Sequence, residues 1–199
     1  MTELLKRLDY KIIYDIVNPG ARVLDLGCAD GELLSLLVKG KNANVQGVEV
    51  DEDAIYKCVE KGLSVFHLDI DSGLRDYPDK SFDYVILNQT MQEARKADFV
   101  IKEALRVGSK VIVGFPNFAF IKARSMLFFN GKAPITNSLP YRWYNTPNLH
   151  FLSISDFKDF CADENIKILE AFYLGAKKVI KFLPNLFALN AIFVITRQQ

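Results

Sequence analysis

The sequence predicts an α/β fold: a doubly wound, mostly parallel sheet with helices on both faces and an antiparallel last strand. Three observations carry this. Apolar runs of strand length alternate with segments of helical periodicity between residues 22 and 115, the pattern of successive βαβ units. The run Arg22-Val23-Leu24-Asp25-Leu26 passes through Gly27-Cys28-Ala29-Asp30-Gly31 directly into Glu32-Leu33-Leu34. That reads as strand, tight turn and helix N-terminus, which exposes backbone N–H groups to a ligand. Finally, two late strand patterns, 166–174 and 189–197, follow one another without an obvious long helix between them, so the sheet is expected to end antiparallel.

Taken in order, Leu4, Leu5, Leu8, Ile12, Ile13 and Ile16 recur at helical spacing over 3–17, and Asn18-Pro19-Gly20 stops the pattern. Strand one follows, then a helix whose buried side is expected to be Leu33, Leu34, Leu36, Leu37 and Val38, ending at Gly40. Residues 45–51 read as strand two, 53–61 as a helix closed by Gly62, and 63–68 as strand three. The turn signal Pro78-Asp79-Lys80-Ser81 precedes strand four at 82–87. Helical periodicity returns over 97–107, Gly108 breaks it, and 110–115 is strand five. Residues 155–165 form the last helix, with Ser153 or Ser155 as its N-cap. Between 116 and 152 no periodicity is sustained, yet Phe118, Phe120, Phe128, Phe129, Tyr141, Trp143, Tyr144 and Phe151 crowd into it. Connections of this length are uncommon in compact domains and are often lids or binding segments.

At 199 residues the chain is expected to form a single domain, 1–199, with the aromatic-rich stretch 116–152 as a long insertion. The formal net charge of +1 argues against a nucleic-acid binder that relies on bulk charge. Three cysteines, odd in number and widely spaced, indicate neither a disulfide framework nor a zinc cluster. No signal peptide is recognisable at Met1-Thr2-Glu3, and the apolar stretch 179–195 is interrupted by Lys181, Pro184, Asn185 and Asn190. A cytoplasmic protein without a membrane or nucleic-acid partner is the expectation.

The chemistry of the glycine turn narrows its ligand. A dinucleotide fingerprint requires glycines at positions one, three and six, but counting from Gly27 those places hold Ala29 and Glu32. No Gly-Lys-Ser/Thr follows either, so a phosphate loop is excluded. Asp25, Asp30 and Glu32 would repel a pyrophosphate, by about 1 kcal/mol per charge pair at ~4 Å even in water. An acidic turn suits a ligand bearing ammonium or sulfonium charge, and S-adenosylmethionine carries both. Gly27 and Gly31 are expected to let it approach the backbone closely. Glu49, near the end of strand two, stands where an acid binds a ribose diol in βαβ nucleotide sites.

The set Asp25-Leu26-Gly27-Cys28 with Gly31, then Glu49, Asp69 and Phe82-Asp83, resembles the class I S-adenosylmethionine-dependent methyltransferases. The resemblance implies a Rossmann-like, seven-stranded sheet. It also implies that the glycine turn passes under the methionine part, that Glu49 takes the ribose hydroxyls and that Asp69 reaches the adenine amino group. Cys28 in the turn, Val50 beside Glu49 and Asn88 at the end of strand four complete the expected set: Asp25, Gly27, Cys28, Gly31, Glu49, Val50, Asp69 and Asn88. The departure is Ala29, where that family usually has glycine.

A second resemblance covers nearly the whole chain. Phe115-Pro116-Asn117-Phe118, the stretch from Leu139-Pro140-Tyr141 through Trp143-Tyr144-Asn145-Thr146-Pro147-Asn148 to His150, and Leu183-Pro184-Asn185-Leu186 are similar to the methionine biosynthesis protein MetW family. This implies a role in methionine biosynthesis alongside a homoserine O-acyltransferase. The methyltransferase resemblance implies an acceptor side beyond strand four, here residues 88–92, Asn-Gln-Thr-Met-Gln, where no histidine, lysine or tyrosine offers a general base. Gln89 and Gln92 can orient a polar substrate or simply cap a strand end; His150 is singled out only by its place in the family-like segment. Two functions follow: a binding module with a partner-docking segment, or a methyltransferase acting on a small molecule.

Overall fold

Every position of β1 (Arg22–Leu26) after Arg22 is buried, as a central strand covered on both faces must be. In the computed structural model, which describes residues 7–198, β1 lies between β2 (Asn44–Glu49) and β4 (Phe82–Asn88). The remaining strands are β3 (Val65–His67), β5 (Gly108–Pro116), β6 (Ile166–Leu174) and β7 (Asn190–Arg197). Their order is β3-β2-β1-β4-β5-β7-β6. Pairing is parallel from β3 to β5, while β7 runs antiparallel to both β5 and β6. The expected seven-stranded sheet with an antiparallel last strand is therefore the fold. Chain order reverses between β1 and β4, which opens a crevice beyond their carboxyl ends.

Alternation along the strands divides the core. Val23, Tyr84, Ile86 and Ile112 pack with α1 (Leu8–Ile16) and α2 (Glu32–Lys41), whereas Leu24, Leu26, Val85 and Leu87 face α4 (Ala97–Val107) and α6 (Ile154–Asp163). The α1 helix begins at Leu8 among the described residues; Leu4 and Leu5, assigned to it from periodicity, lie outside them. Gly40 does not end α2: the Tyr14 ring packs where its Cβ would stand, the Tyr14 hydroxyl donates to its carbonyl at 3.0 Å, and the helix continues to Lys41. Val38, expected on the buried side, is exposed. Strand two stops at Glu49 because Asp51 turns to cap α3 (Glu52–Glu60), accepting from the Ala54 N–H at 2.8 Å. Ser153 caps α6 in a reciprocal capping box with Asp156.

The aperiodic stretch holds a helix that its pattern concealed, α5 (Ile121–Asn130). Only Ala123 of α5 is buried and its apolar residues point in several directions, so no periodicity marks it. The stretch closes on itself through the Phe118 N–H donating to the Leu152 carbonyl at 3.0 Å and the Phe118–Phe151 ring contact. Asn117, wholly buried, locks this closure to the rest of the domain. Its Nδ2 donates to the carbonyls of Asn185 and Ala188 at 3.1 and 2.9 Å, and its Oδ1 accepts the Ala119 N–H at 3.2 Å. Asn185 in turn accepts the Ile154 N–H, 3.1 Å, at the start of α6. Removing the Asn117 amide leaves buried carbonyls unpaired, each costing about 1 kcal/mol or more. Asn117→Ala is therefore expected to lower stability by about 3 kcal/mol, read as a shifted denaturant midpoint at constant slope; a shift worth under ~1 kcal/mol would show that this clasp contributes little.

Candidate functional site

The turn after β1 is built from alternate left-handed residues: Gly27, Ala29 and Gly31 have φ of +76°, +47° and +74°. This folds the chain so that the N–H groups of Gly27 and Cys28 both reach the Val48 carbonyl, at 2.8 and 3.2 Å. A Cβ on Gly27 would come within 2.5 Å of Thr90 Cγ2. On Gly31 it would come within 2.5 Å of Leu63 Cδ1 and 2.8 Å of Cys58 Sγ. The space Gly31 keeps clear is thus filled by the packing beneath the turn, not by open cleft. Ala29 holds a conformation that is unfavourable with a Cβ by roughly 1–2 kcal/mol.

What holds Ala29 there is Glu49. Its Oε2 accepts the Ala29 N–H at 2.8 Å, and its Oε1 accepts those of Val50 and Asp51 at 2.8 and 3.1 Å. One carboxylate thereby joins the glycine turn to the end of β2 and the start of α3. A carboxylate offers about four lone-pair sites, so Oε1 is filled while Oε2 retains room for one more donor.

Around this junction, at the crevice between β1 and β4, lies a cleft of about 470 Å³. Of the residues expected from sequence, Asp25, Gly27, Cys28, Glu49, Val50, Asp69 and Asn88 line it. Gly31 does not; it shapes the turn from behind. Asp69 caps the short 3₁₀ turn Ile70–Ser72 with Oδ1, which accepts the Asp71 N–H at 2.9 Å. Asn88 donates from Nδ2 to Asp9 at 3.1 Å, and its buried Oδ1 has no partner among the described residues.

Sequence reading missed Arg7, Tyr10, Asp71 and Glu93, which also border the cleft, whereas Gln89 and Thr90, which line it too, fall in the stretch expected on the acceptor side. Arg7 and Tyr10 arrive because α1 lays its first turn across the opening, and periodicity described that helix only as core. The Arg7 guanidinium stacks 3.7 Å over the Tyr10 ring and pairs with Asp9 at 2.8 Å. Asp71 fixes the loop after β4, accepting the N–H groups of Arg95 and Lys96 at 2.9 and 2.8 Å. His150 serves the fold as well: its Nε2 bonds the Ala94 carbonyl at 2.9 Å and anchors the insertion. His67 stands exposed at the end of β3.

The cleft is acidic, with Asp25, Glu49, Asp69, Asp71 and Glu93 against Arg7. Burial, and then the nearby Glu49 charge, push the Asp25 carboxyl up to about 7. Burial first, and Glu49 second, also raise the Glu93 carboxyl. Burial raises the Cys28 thiol as well, so it is a packing group and not a nucleophile. All three cysteines are buried and free.

The Asp25 shift fixes a sign. A carboxyl raised on folding binds a proton more tightly in the native state, so its contribution to stability is full below the ordinary aspartate value near 4 and is lost as pH rises through about 7. Asp25→Asn removes this loss. The variant should gain on the parent in denaturant midpoint between pH 4 and pH 8, with the change centred below about 7; parallel pH profiles would show that Asp25 ionises normally.

Comparison with known proteins places these features in a family. The family model described as methionine biosynthesis protein MetW matches residues 7–195. A bifunctional methionine biosynthesis protein MetXA/MetW from Rhodopirellula baltica is 30% identical over 211 residues, covering 100% of this chain and 34% of that protein. The chain thus spans about a third of the length of the curated relatives it matches. Among solved structures, an S-adenosylmethionine-dependent methyltransferase from Archaeoglobus fulgidus superposes with a TM-score of 0.69 at 18% identity, covering 99% of this chain and 95% of that one. The complex of the Haloferax volcanii Trm112 methyltransferase activator with its putative methyltransferase gives a TM-score of 0.71 at 13% identity, covering 100% and 92%. At such identities the likeness shows the methyltransferase fold alone. Among the described residues no helix is long and apolar enough to cross a membrane. By the family match over nearly its whole length, the chain belongs to the methionine biosynthesis protein MetW family.

Proposed function

We propose that the acidic cleft binds S-adenosylmethionine, or its demethylated product S-adenosylhomocysteine, and that the chain acts in methionine biosynthesis beside a homoserine O-acyltransferase. The observation that carries the ligand reading is the junction at Glu49, where a glycine turn, a carboxylate with one open lone pair and an acidic wall meet in one cleft. The groups fit such a ligand. Glu49 Oε2 accepts a ribose hydroxyl. Asp69, with Oδ1 committed to its own turn, keeps Oδ2 for the adenine amino group. Asp25 and Asn88, which both line the cleft, suit the ammonium and sulfonium end. When bound, the sulfonium supplies an electrophilic methyl group; the chain's own contribution is to orient it and to surround it with negative charge.

Glu49→Ala is expected to weaken S-adenosylhomocysteine binding about 10- to 100-fold, the loss of a hydrogen bond to a charged group. Because Glu49 also ties the turn to β2, calorimetry is paired with a melting curve on the same sample. Unchanged affinity in a folded variant would remove Glu49 from the site.

Support for the partner comes from the Rhodopirellula relative, whose name couples MetXA with MetW and of which this chain covers 34%. The insertion supplies the surface. None of the cleft's lining residues comes from 116–152, which supports a partner-facing role for its rings over a lid on the adenosyl side. Phe128, Phe129, Trp143 and Tyr144 instead stand 82%, 77%, 78% and 61% exposed, in two edge-to-face pairs. Rigid aromatics of this kind dominate interface energies. Trp143→Ala should abolish co-purification with the acyltransferase and leave S-adenosylhomocysteine affinity within about twofold, because truncating a central aromatic commonly costs 2 kcal/mol or more at an interface. Intact association with weakened ligand binding would reverse the assignment.

One feature favours methyl transfer to a small molecule as a second reading: the cleft adjoins another cavity, sharing Arg7, Gln89 and Glu93 with it.

A further inference from the structure

The insertion differs from the rest of the chain in charge as well as in its rings. The chain has 24 acidic residues, yet none falls between Glu103 and Asp156. Within the insertion Lys122, Arg124, Lys132 and Arg142 are all exposed. One solvated cation calls for nothing. A whole face of one sign around exposed rings is different, because its summed field favours or repels an entire approaching surface.

Fixed backbone presents the rings. Trp143 and Tyr144 are the central residues of a turn closed by two bonds. The Asn145 N–H donates to the Arg142 carbonyl at 3.1 Å, and the Arg142 N–H donates to Asn145 Oδ1 at 2.9 Å. Arg142 Nη1 also donates to the Tyr144 hydroxyl at 3.1 Å. Nearby, Thr136 and Leu139 exchange both backbone hydrogen bonds, at 2.9 and 3.1 Å. A surface already set in this way loses little ordering entropy when something docks on it.

Trp143 stands between two hollows. One, of about 290 Å³, has apolar walls that include Phe118, Leu127, Leu139 and Phe151. The other, of about 450 Å³, sets Lys132 and Arg142 beside Ile135 and Tyr144. Ala133, Arg142 and Trp143 border both. An apolar hollow next to a cationic one has the make-up of an interface core and its rim. Its complement is a segment that carries a bulky apolar side chain next to a carboxylate. A nucleic acid fits less well, since its affinity grows with the phosphates neutralised and the second hollow offers two cations. A bilayer takes projecting rings but leaves a hollow of side-chain size unfilled.

We propose that this face docks an acidic segment of the acyltransferase, with a bulky apolar side chain in the hollow beside Trp143 and a carboxylate against Lys132 and Arg142. The partner's identity rests on the reading above; the charge and shape of the docked segment rest on the face itself.

The test measures association of the full chain with purified homoserine O-acyltransferase by calorimetry. Affinity is expected to fall about 10-fold when salt rises from about 50 to about 300 mM. Lys132→Glu should weaken association by about 10-fold or more, and Lys57→Glu, an exposed charge reversal on α3, by less than about twofold. Ala133→Leu removes no contact and fills the space shared by the hollows, so it should weaken association at least as much. Association that Trp143→Ala abolishes but that salt, Lys132→Glu and Ala133→Leu leave unchanged would overturn the proposal and keep the partner reading. If the parent chain does not bind the acyltransferase, the partner reading fails, and tripeptides decide the chemistry of the face. In nuclear magnetic resonance titrations acetyl-Glu-Phe-Glu-amide should shift the Trp143 indole and Ala133 signals with millimolar-order affinity. Acetyl-Lys-Phe-Lys-amide and acetyl-Glu-Ala-Glu-amide should bind more weakly. Equal binding of either control, or no shift with the acidic peptide, would overturn the proposal. So would Lys132-dependent sedimentation with phosphatidylglycerol vesicles or single-stranded RNA in place of the acidic peptide.

Discussion

The carboxylate of Glu49 is the constraint on which the site depends. Three backbone N–H groups from two different connections converge on it, and the turn it holds places alternate residues in the left-handed region. Glycine takes that conformation freely at 27 and 31; the alanine at 29 does not. A charge-assisted hydrogen bond of about 1.5–3 kcal/mol is of the size needed to offset it. Glu49 is thus part of the turn's architecture as well as a candidate ligand contact, and the two roles share one oxygen.

Charge then selects what this architecture accepts. The strand–turn–helix arrangement is general for anionic ligands, yet here Asp25 is buried beneath the turn and Glu49, Asp69, Asp71 and Glu93 surround the opening. Burial first, and the Glu49 charge second, raise the Asp25 carboxyl to about 7. A phosphate would add to the repulsion, whereas a cationic group relieves it.

The insertion presents two kinds of surface. Polar residues around Asn137 and Asn148 wall the cavity beside the cleft, while Phe128, Phe129, Trp143 and Tyr144 face outward. Between them runs a structural clasp. Asn117 holds the carbonyls of Asn185 and Ala188, and Asn185 holds the start of α6. The Phe-Pro-Asn-Phe and Leu-Pro-Asn-Leu motifs, far apart in sequence, are the two halves of this clasp. Their asparagines serve the fold rather than chemistry, as does His150 through the Ala94 carbonyl.

The sequence by itself determined the parallel sheet, the glycine turn, the acid at the end of strand two and the family, because each is written in local pattern: period-two and period-3.6 alternation, glycines at a turn, and contiguous motifs. Even the buried strands were legible, since a central parallel strand reads as a near-continuous apolar run, interrupted in β1 only by Asp25. Tertiary structure alone decided what arrives from elsewhere in the chain. No local signal announces that α1 crosses the cleft with Arg7 and Tyr10, or that Gly31 is required by Leu63 and Cys58. Helix α5 escaped because a helix with a single buried residue has no apolar stripe to read. The burial of Gln92 was equally hidden: it looks like any polar residue at a strand end until the fold buries its oxygen and gives it no partner among the described residues. Whether a polar group is satisfied depends on neighbours distant in sequence, and only the packed chain specifies them.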